Sequence, residues 1–373
     1  MDAHDGTSID PHGGNWLEDN RASWDERVPL HLEGNHYDQS ALIAGHGRLR
    51  ELEEQALARM FPDGFEGLRV LHLQCHFGAD SLVFAQRGAE VVGLDFSPPA
   101  VKAARELAAS VGLADRARFV IGNVYDARHL LPQPASFDLV YTSWGTIGWL
   151  PDVAEWARVA AWFVVPGGRF YFADSHPTAW VFDSAGSGAA VAESASADGA
   201  RVADGAGAVG DGRGADGAAA PGGAGPADGE GAPGGAGVAD GAGAQGGAGP
   251  ADASGVADAA GGAGDAGALP RFAYPYDDGG VPTVLEEQGD YADESAVLEN
   301  VRTWEWTHPL SSTLGALLDA GLRLDRLDEH YELPWRMFAP LEEGPDGMWR
   351  WPAERWLPLG LSLEMTLPAA PDA

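Results

Sequence analysis

The chain has 373 residues, 45 % of them hydrophobic, and a formal net charge of -33. That length and apolar content are enough for a substantial core, while the acidity repels polyanions and anionic membranes, so neither nucleic acid nor membrane is expected as a partner. A single cysteine, Cys75, excludes an internal disulfide framework.

Taken in chain order, residues 1–14 are acidic, lack an apolar segment and are expected to be disordered. With no run of 18 apolar residues anywhere, a cytoplasmic protein is expected. Residues 15–60 then divide in two. Leu49, Leu52, Leu57 and Met60 have helical spacing and predict a helix leading into the first strand. The stretch before it is richer in aromatic and polar residues than a simple helix needs, and reads as a cap over a site, with Trp24, His31, His36 or Tyr37 facing inward.

Residues 70–97, VLHLQCHFGADSLVFAQRGAEVVGLDFS, read as strand, tight turn at Gly78, short helix and second strand, a βαβ unit. Gly88 suits the position just past the helix end. Asp95 ends the second strand 17 residues after Gly78, near the spacing at which nucleotide-binding folds place a carboxylate to accept ribose hydroxyls. One glycine in the turn argues against the G-x-G-x-x-G cradle of a pyrophosphate, and so against a nicotinamide-dependent oxidoreductase.

The stretch resembles motif I of class I S-adenosylmethionine-dependent methyltransferases, usually V-L-D-L-G-C-G-T-G, and LHLQCHFG resembles a bacterial subfamily with that variant turn. The resemblance implies a Rossmann-like, doubly wound α/β fold: a seven-stranded sheet, mostly parallel with an antiparallel last strand. It implies S-adenosylmethionine as cofactor, held by Leu73, Gln74, Cys75, Gly78, Asp95, Phe96, Asn123, Val124 and Ser143. His72, Gln74 and His76 replace an acid and two glycines of the general motif; Gln74 and His76 either contact the cofactor's carboxylate or ammonium or merely fit the turn. Cys75 reads as a packing residue beside the cofactor.

Ser97 and Pro98 open a second helix that Gly112 ends, and Arg118–Ile121 form strand three. Asn123 stands where the resemblance implies an acceptor for the adenine amine, with Asp126 as the competing residue. Strand four, Phe137–Thr142, leads to Ser143-Trp144-Gly145, with Trp144 in the acceptor pocket; these residues do not match the N/D-P-P-Y/F/W tetrad of DNA adenine methyltransferases. A helix, a Pro166-Gly167-Gly168 turn and strand five, Arg169–Ala173, follow.

From residue 184 to 269 the sequence is almost wholly Gly, Ala and Asp, repeats PGGAG at 221 and 233, and has no aromatic residue. It cannot bury a core and reads as a disordered insertion into one domain, 15–183 and 270–368. VRTWEWT, within 285–307, alternates as an added strand over the site; Pro309 opens a helix closed by Gly321, and strands follow from Leu322 and from Leu359 to Leu367.

A hydroxyl acceptor needs a base, and His176, at the end of strand five, ranks before His31, His36 and His330. Tyr37 belongs to the cap. No H-E-x-x-H, C-x-x-C or G-x-S-x-G occurs, so no metal site is expected. The expected activity is methyl transfer to a small-molecule acceptor by in-line displacement; the alternative is a non-catalytic S-adenosylmethionine-binding or interaction protein of the same fold. The oligomeric state is left open.

Overall fold

The computed structural model describes residues 9–33, 37–183, 190–191, 270–286, 288–292 and 296–369, so the expected disorder of 1–8 and of nearly all of 184–269 lies outside the described residues, as does His36. Three helices come first, α1 (Asn15–Glu33), α2 (Ser40–Ile43) and α3 (Glu51–Met60). The alternating region follows as β1 (Arg69–Leu73), α4 (Ala79–Gln86), β2 (Glu90–Asp95), α5 (Pro98–Ser110), β3 (Ala117–Ile121), α6 (Ala127–Leu130), β4 (Phe137–Ser143), α7 (Val153–Phe163) and β5 (Val164–Ser175). Then come β6 (Ala190–Val191), β7 (Thr283–Glu286), β8 (Arg302–Glu305), α8 (Leu310–Asp319), β9 (Arg323–His330), β10 (Glu332–Leu333), β11 (Glu342–Glu343), β12 (Trp349–Arg350) and β13 (Gly360–Thr366).

Seven strands form one sheet in the order β3-β2-β1-β4-β5-β13-β9. The first five are parallel, and β13 runs antiparallel to both β5 and β9. This is the Rossmann-like arrangement expected from the sequence. Side chains alternate between the faces as a pleated strand requires. Leu71, Leu73, Val140, Phe170 and Phe172 pack with α7 and α8, whereas Val70, Leu139, Tyr141, Tyr171 and Ala173 pack with α3, α4 and α5. Ser97 caps α5 by accepting the Ala100 N–H at 3.2 Å, with Pro98 in the first turn.

Three details differ from the sequence reading. Pro166-Gly167-Gly168 does not separate β5 from α7; it lies inside β5 as an irregularity between Phe137 and Leu139 of the β4 register, pinned by Gly167 N–H to Leu367 O at 2.7 Å. Residues 9–14 are tied down instead of loose: Pro11 O accepts from Asn123 Nδ2 at 2.9 Å and Asp10 O from Trp16 Nε1 at 2.9 Å. The aromatic and polar stretch is a 19-residue helix whose buried stripe is Trp16, Asn20, Ser23, Arg27, Val28 and His31. That stripe has helical spacing but is mostly polar, so hydrophobic periodicity does not reveal it.

The long insertion leaves and returns at one place. Asp183 N–H bonds to Arg271 O at 2.9 Å, and Phe182 and Phe272 form an antiparallel bridge. Beyond it β6, β7 and β8 make a small antiparallel sheet, and α1 packs on β8. Asn20 joins them as a peptide group would: its Oδ1 accepts the Trp304 N–H at 2.8 Å and its Nδ2 donates to Trp304 O at 2.9 Å. Just past β8, Trp306 N–H bonds Gly148 O at 2.7 Å, which holds the strand's end against the loop after β4. A third sheet, β10-β12-β11, stands over Phe338, Met337 and Trp351. No helix among the described residues is long and apolar enough to cross a membrane.

Candidate active site

The chain reverses its order of strand addition between β1 and β4, which opens a crevice at their carboxyl ends. A cavity of about 1520 Å³ lies there. Its floor is the loops after β1, β2, β3 and β4; its roof is α1, Tyr37, the 288–291 segment and the residues after β8. Of the residues expected from the sequence, Gln74, Cys75, Gly78, Asp95, Phe96, Asn123, Val124, Ser143, Trp144 and Tyr37 line it. Leu73 does not: it is fully buried in the core beneath. His176 does not either.

The loop after β1 keeps a glycine-like path without the glycines. Gln74 and His76 have φ of 58° and 51°, in the left-handed region, followed by Gly78 at 75°. Side chains rarely adopt that region, and each such residue stores of order 1 kcal/mol. What holds them is the hydrogen bonding around them. His76 N–H donates to Asp95 Oδ2 at 2.7 Å, Cys75 N–H to Leu94 O at 3.0 Å, and Gln74 Nε2 to Thr146 O at 2.9 Å.

Asp95 accepts from His76 N–H with one oxygen and from Ser97 N–H with the other, at 2.9 Å. Burial pushes its carboxyl up to about 6; those two N–H donors pull the other way, and the nearby Asp25 carboxylate adds to the rise. Cys75 is buried, and burial beside Asp95 pushes its thiol well up, so it packs as a small apolar residue rather than a nucleophile.

Asn123 is already engaged on both sides. Its Nδ2 donates to Pro11 O, and its Oδ1 accepts from Tyr125 N–H at 3.2 Å, capping a short 3₁₀ turn. One lone pair of that oxygen remains for a ligand amine. Asp126 lies outside the cavity wall and pairs with His12 at 3.0 Å.

The loop after β4 is organised by Asp174, whose importance the sequence does not reveal. Asp174 Oδ1 accepts from Gly145 N–H at 2.8 Å, and Oδ2 from Thr146 N–H at 2.9 Å and Ile147 N–H at 3.2 Å. Because Thr146 O in turn holds Gln74, one carboxylate fixes the loops at both sides of the crevice. Trp144, at φ 43°, donates Nε1–H to Glu53 Oε1 at 2.7 Å. Glu53 is buried on α3, where desolvation, reinforced by the Asp80 charge, pushes its carboxyl up to about 7.

His176 is buried on the far side of β5's end. Its Nδ1 faces Thr178 Oγ1 at 2.6 Å and its Nε2 faces Glu329 at 3.3 Å. Strand β5 continues two residues past Ala173, to Ser175, and His176 N–H bonds Leu359 O at 2.9 Å, so the ring stands beside Glu329 of β9 and not in the cavity wall. His330 bonds Ser362 at 2.8 Å on the sheet edge and also lies away from the cavity wall. The cap, by contrast, assembles histidines: His31 Nδ1 lies 3.4 Å from His76 Nε2, and His31 Nε2 lies 3.2 Å from Asp290 Oδ2. Trp24 and Tyr37 pack against both rings. Asp290 lies 259 residues from His31 in sequence, a separation that no local pattern spans.

Residues 70–168 match the family described as a methyltransferase domain. The chain is similar to tocopherol O-methyltransferase of Arabidopsis thaliana, 29 % identical over 39 % of this chain and 44 % of that one. It is similar to ubiquinone biosynthesis O-methyltransferase of Caulobacter sp., 34 % identical over 42 % of this chain and 58 % of the other. A protein named as a ribosomal RNA large subunit methyltransferase of Methanocaldococcus jannaschii is 36 % identical over 23 % of this chain and 24 % of its own. The chain thus spans about half the length of its first two relatives and less of the third. The matched residues run from β1 into the start of β5, the segment that builds the floor of the cavity.

Proposed function

We propose that the chain is an S-adenosylmethionine-dependent methyltransferase acting on a small molecule. The observation that carries this reading is the cavity itself: about 1520 Å³ at the carboxyl edge, beyond the roughly 300–1,000 Å³ of a site for one drug-sized ligand, with polar groups at its floor and aromatic rings in its walls. The floor fits the cofactor. Gln74 Oε1 is buried without a hydrogen-bond partner and suits a cationic ammonium, and Asp95 keeps lone pairs beyond its two N–H bonds for ribose hydroxyls. Phe96 and Val124 supply apolar contacts, and Asn123 one acceptor, for the adenine.

Bound there, S-adenosylmethionine supplies a methyl group on a positively charged sulfur. The protein's part is alignment and exclusion of water, which account for much of the rate of such displacements. The Asp174-held loop fixes Trp144, Trp335 packs edge-on to Trp144 at 6.5 Å, and Tyr291 packs on Trp335, so the acceptor's wall is aromatic. The net charge favours a small acceptor over a nucleic acid, and the two O-methyltransferase relatives favour a hydroxyl.

Isothermal titration with S-adenosylmethionine is the direct test. Binding in the micromolar range, lost in Asp95→Ala, supports the reading; no heat and no thermal shift at millimolar ligand refutes it. Release of S-adenosylhomocysteine across a metabolite panel, with ribosomal RNA as a parallel arm, then assigns the acceptor class. Binding without release in any arm would favour the non-catalytic alternative.

A further inference from the structure

His76 and Asp290 both line the cavity, Asp290 at 5 % exposure, and His31, fully buried, joins them. The three are in file, with separations of 3.4 Å and 3.2 Å. Asp290 Oδ2 also faces Arg27 Nε at 3.2 Å, and its Oδ1 accepts the Ala292 N–H at 2.8 Å. Burial alone would raise this carboxyl, but the hydrogen bonds from His31 and from the Ala292 N–H, with the Arg27 charge, hold it below the usual range. Asp290 is therefore an ionised acceptor.

With both rings neutral, that orders their protons. A carboxylate only accepts, so His31 donates Nε2–H to Asp290 and presents a lone pair at Nδ1. His76 then donates Nε2–H to that lone pair, and its own Nδ1, which has no protein partner among the described residues, accepts from whatever donor the cavity holds. Trp24 edge-on to both rings, at 5.9 and 5.6 Å, and Tyr37, at 5.0 and 5.8 Å, keep them from rotating. The charged and titratable groups facing the pair are Arg27 from α1, Tyr37, Asp95 beneath the His76 backbone, and Asp290 and Tyr291 from the roof.

We propose that His76 takes the proton of an acceptor hydroxyl during methyl transfer and relays its Nε2 proton to His31, with Asp290 as the positioning residue. The proposal rests on the methyltransferase reading above. The O–H bond breaks and its proton bonds to His76 Nδ1, while the Nε2 proton of His76 bonds to His31 Nδ1. The pair left on oxygen makes the new C–O bond, and the pair of the C–S bond leaves with sulfur. The relay has a physical reason. Burial pushes His76 down to about 3, so it does not retain a second proton, whereas the proton passed on arrives at a ring whose Nε2 lies 3.2 Å from the Asp290 carboxylate.

The test uses the full chain and needs no known acceptor. Long-range ¹H–¹⁵N spectra of protein labelled at the histidine rings should show His31 and His76 both protonated at Nε2, with Asp290→Asn abolishing the His31 preference. A His31 ring protonated at Nδ1 overturns the relay, as does an unchanged tautomer in Asp290→Asn. Titration of S-adenosylmethionine into folded His76→Asn and His31→Asn should give affinities within about threefold of wild type. A loss beyond about thirtyfold makes the pair a cofactor ligand instead and overturns the proposal; wild type that fails to bind overturns the underlying reading separately. With catechol as hydroxyl probe, His76→Asn should lower kcat by about 10²-fold or more at unchanged KM for the cofactor. Benzenethiol, already ionised at pH 8, should be methylated equally by both proteins; equal loss with both probes excludes a base.

Discussion

Alanine at Gly78 would test how tightly the loop under the cavity is specified. Gly78 has φ +75°, and a Cβ there would stand 2.5 Å from Phe119 Cε1, 2.7 Å from Phe119 Cζ and 3.0 Å from the Ala104 Cβ. Both neighbours are buried, Phe119 at 2 % and Ala104 at 0 % exposure, so neither can swing into solvent. Two penalties add. A left-handed alanine costs about 1–2 kcal/mol, and overpacking a filled core about 1–3 kcal/mol. Together they predict a loss of about 2–5 kcal/mol. Gly112 separates the two, because it has φ +72° but nothing within 4 Å of where a Cβ would stand, so its alanine variant carries only the first penalty. Urea unfolding followed by tryptophan fluorescence reads both; at about 1–3 kcal/mol per molar, Gly78→Ala should move the midpoint by about 0.7 M or more. Adding Phe119→Leu should return part of the loss by removing the ring edge. Equal midpoint shifts in Gly78→Ala and Gly112→Ala would refute the steric argument.

Four further outcomes are expected. Ribose hydroxyls donate to an ionised carboxylate, and the Asp95 carboxyl is held at about 6, so affinity for S-adenosylmethionine should rise about tenfold from pH 5 to pH 7 and level off above that; calorimetry showing a flat profile would contradict this. The same shift has a stability consequence of opposite sign: a carboxyl raised above its ordinary 3.8 destabilises the unliganded fold, by nothing below that value and fully above about pH 6, and Asp95→Asn should remove that dependence. Asp174→Ala strands the N–H groups of Gly145, Thr146 and Ile147, so a loss of about 3 kcal/mol and weaker cofactor binding through Gln74 are expected, and an unchanged melting temperature would count against it. Asn20→Ala removes both bonds to Trp304; the Trp304 amide should exchange with solvent at least about tenfold faster, and unaltered protection would show that α1 does not hold β8 through this side chain.

The features the sequence determined by itself are local ones. The apolar runs of β1, β2 and β4, the Ser97-Pro98 start of α5, the left-handed Gly78 and the carboxylate at the end of β2 follow from residues within a few positions of one another, and periodicity and capping chemistry act over that range. From them came the βαβ unit and the place of Asp95; the full Rossmann-like sheet and the floor residues Gln74, Asn123 and Ser143 were what the resemblance to motif I implied.

What the tertiary structure decided is where polar side chains meet. Helix α1 escaped the periodic signal because its buried stripe of Asn20, Ser23, Arg27 and His31 is polar, and such residues are buried only when distant partners satisfy them. Those partners, Trp304 and Asp290, lie 284 and 259 residues away, beyond any local pattern. The same holds for His176, placed by sequence at the right strand end but turned by the backbone toward Glu329, and for Asp174, one more strand-end acid in the sequence and the clasp of two loops in the fold. Local sequence sets which elements form because backbone preference is a short-range property; which histidine faces the cavity depends on long-range packing and hydrogen-bond satisfaction, and only the folded chain fixes that.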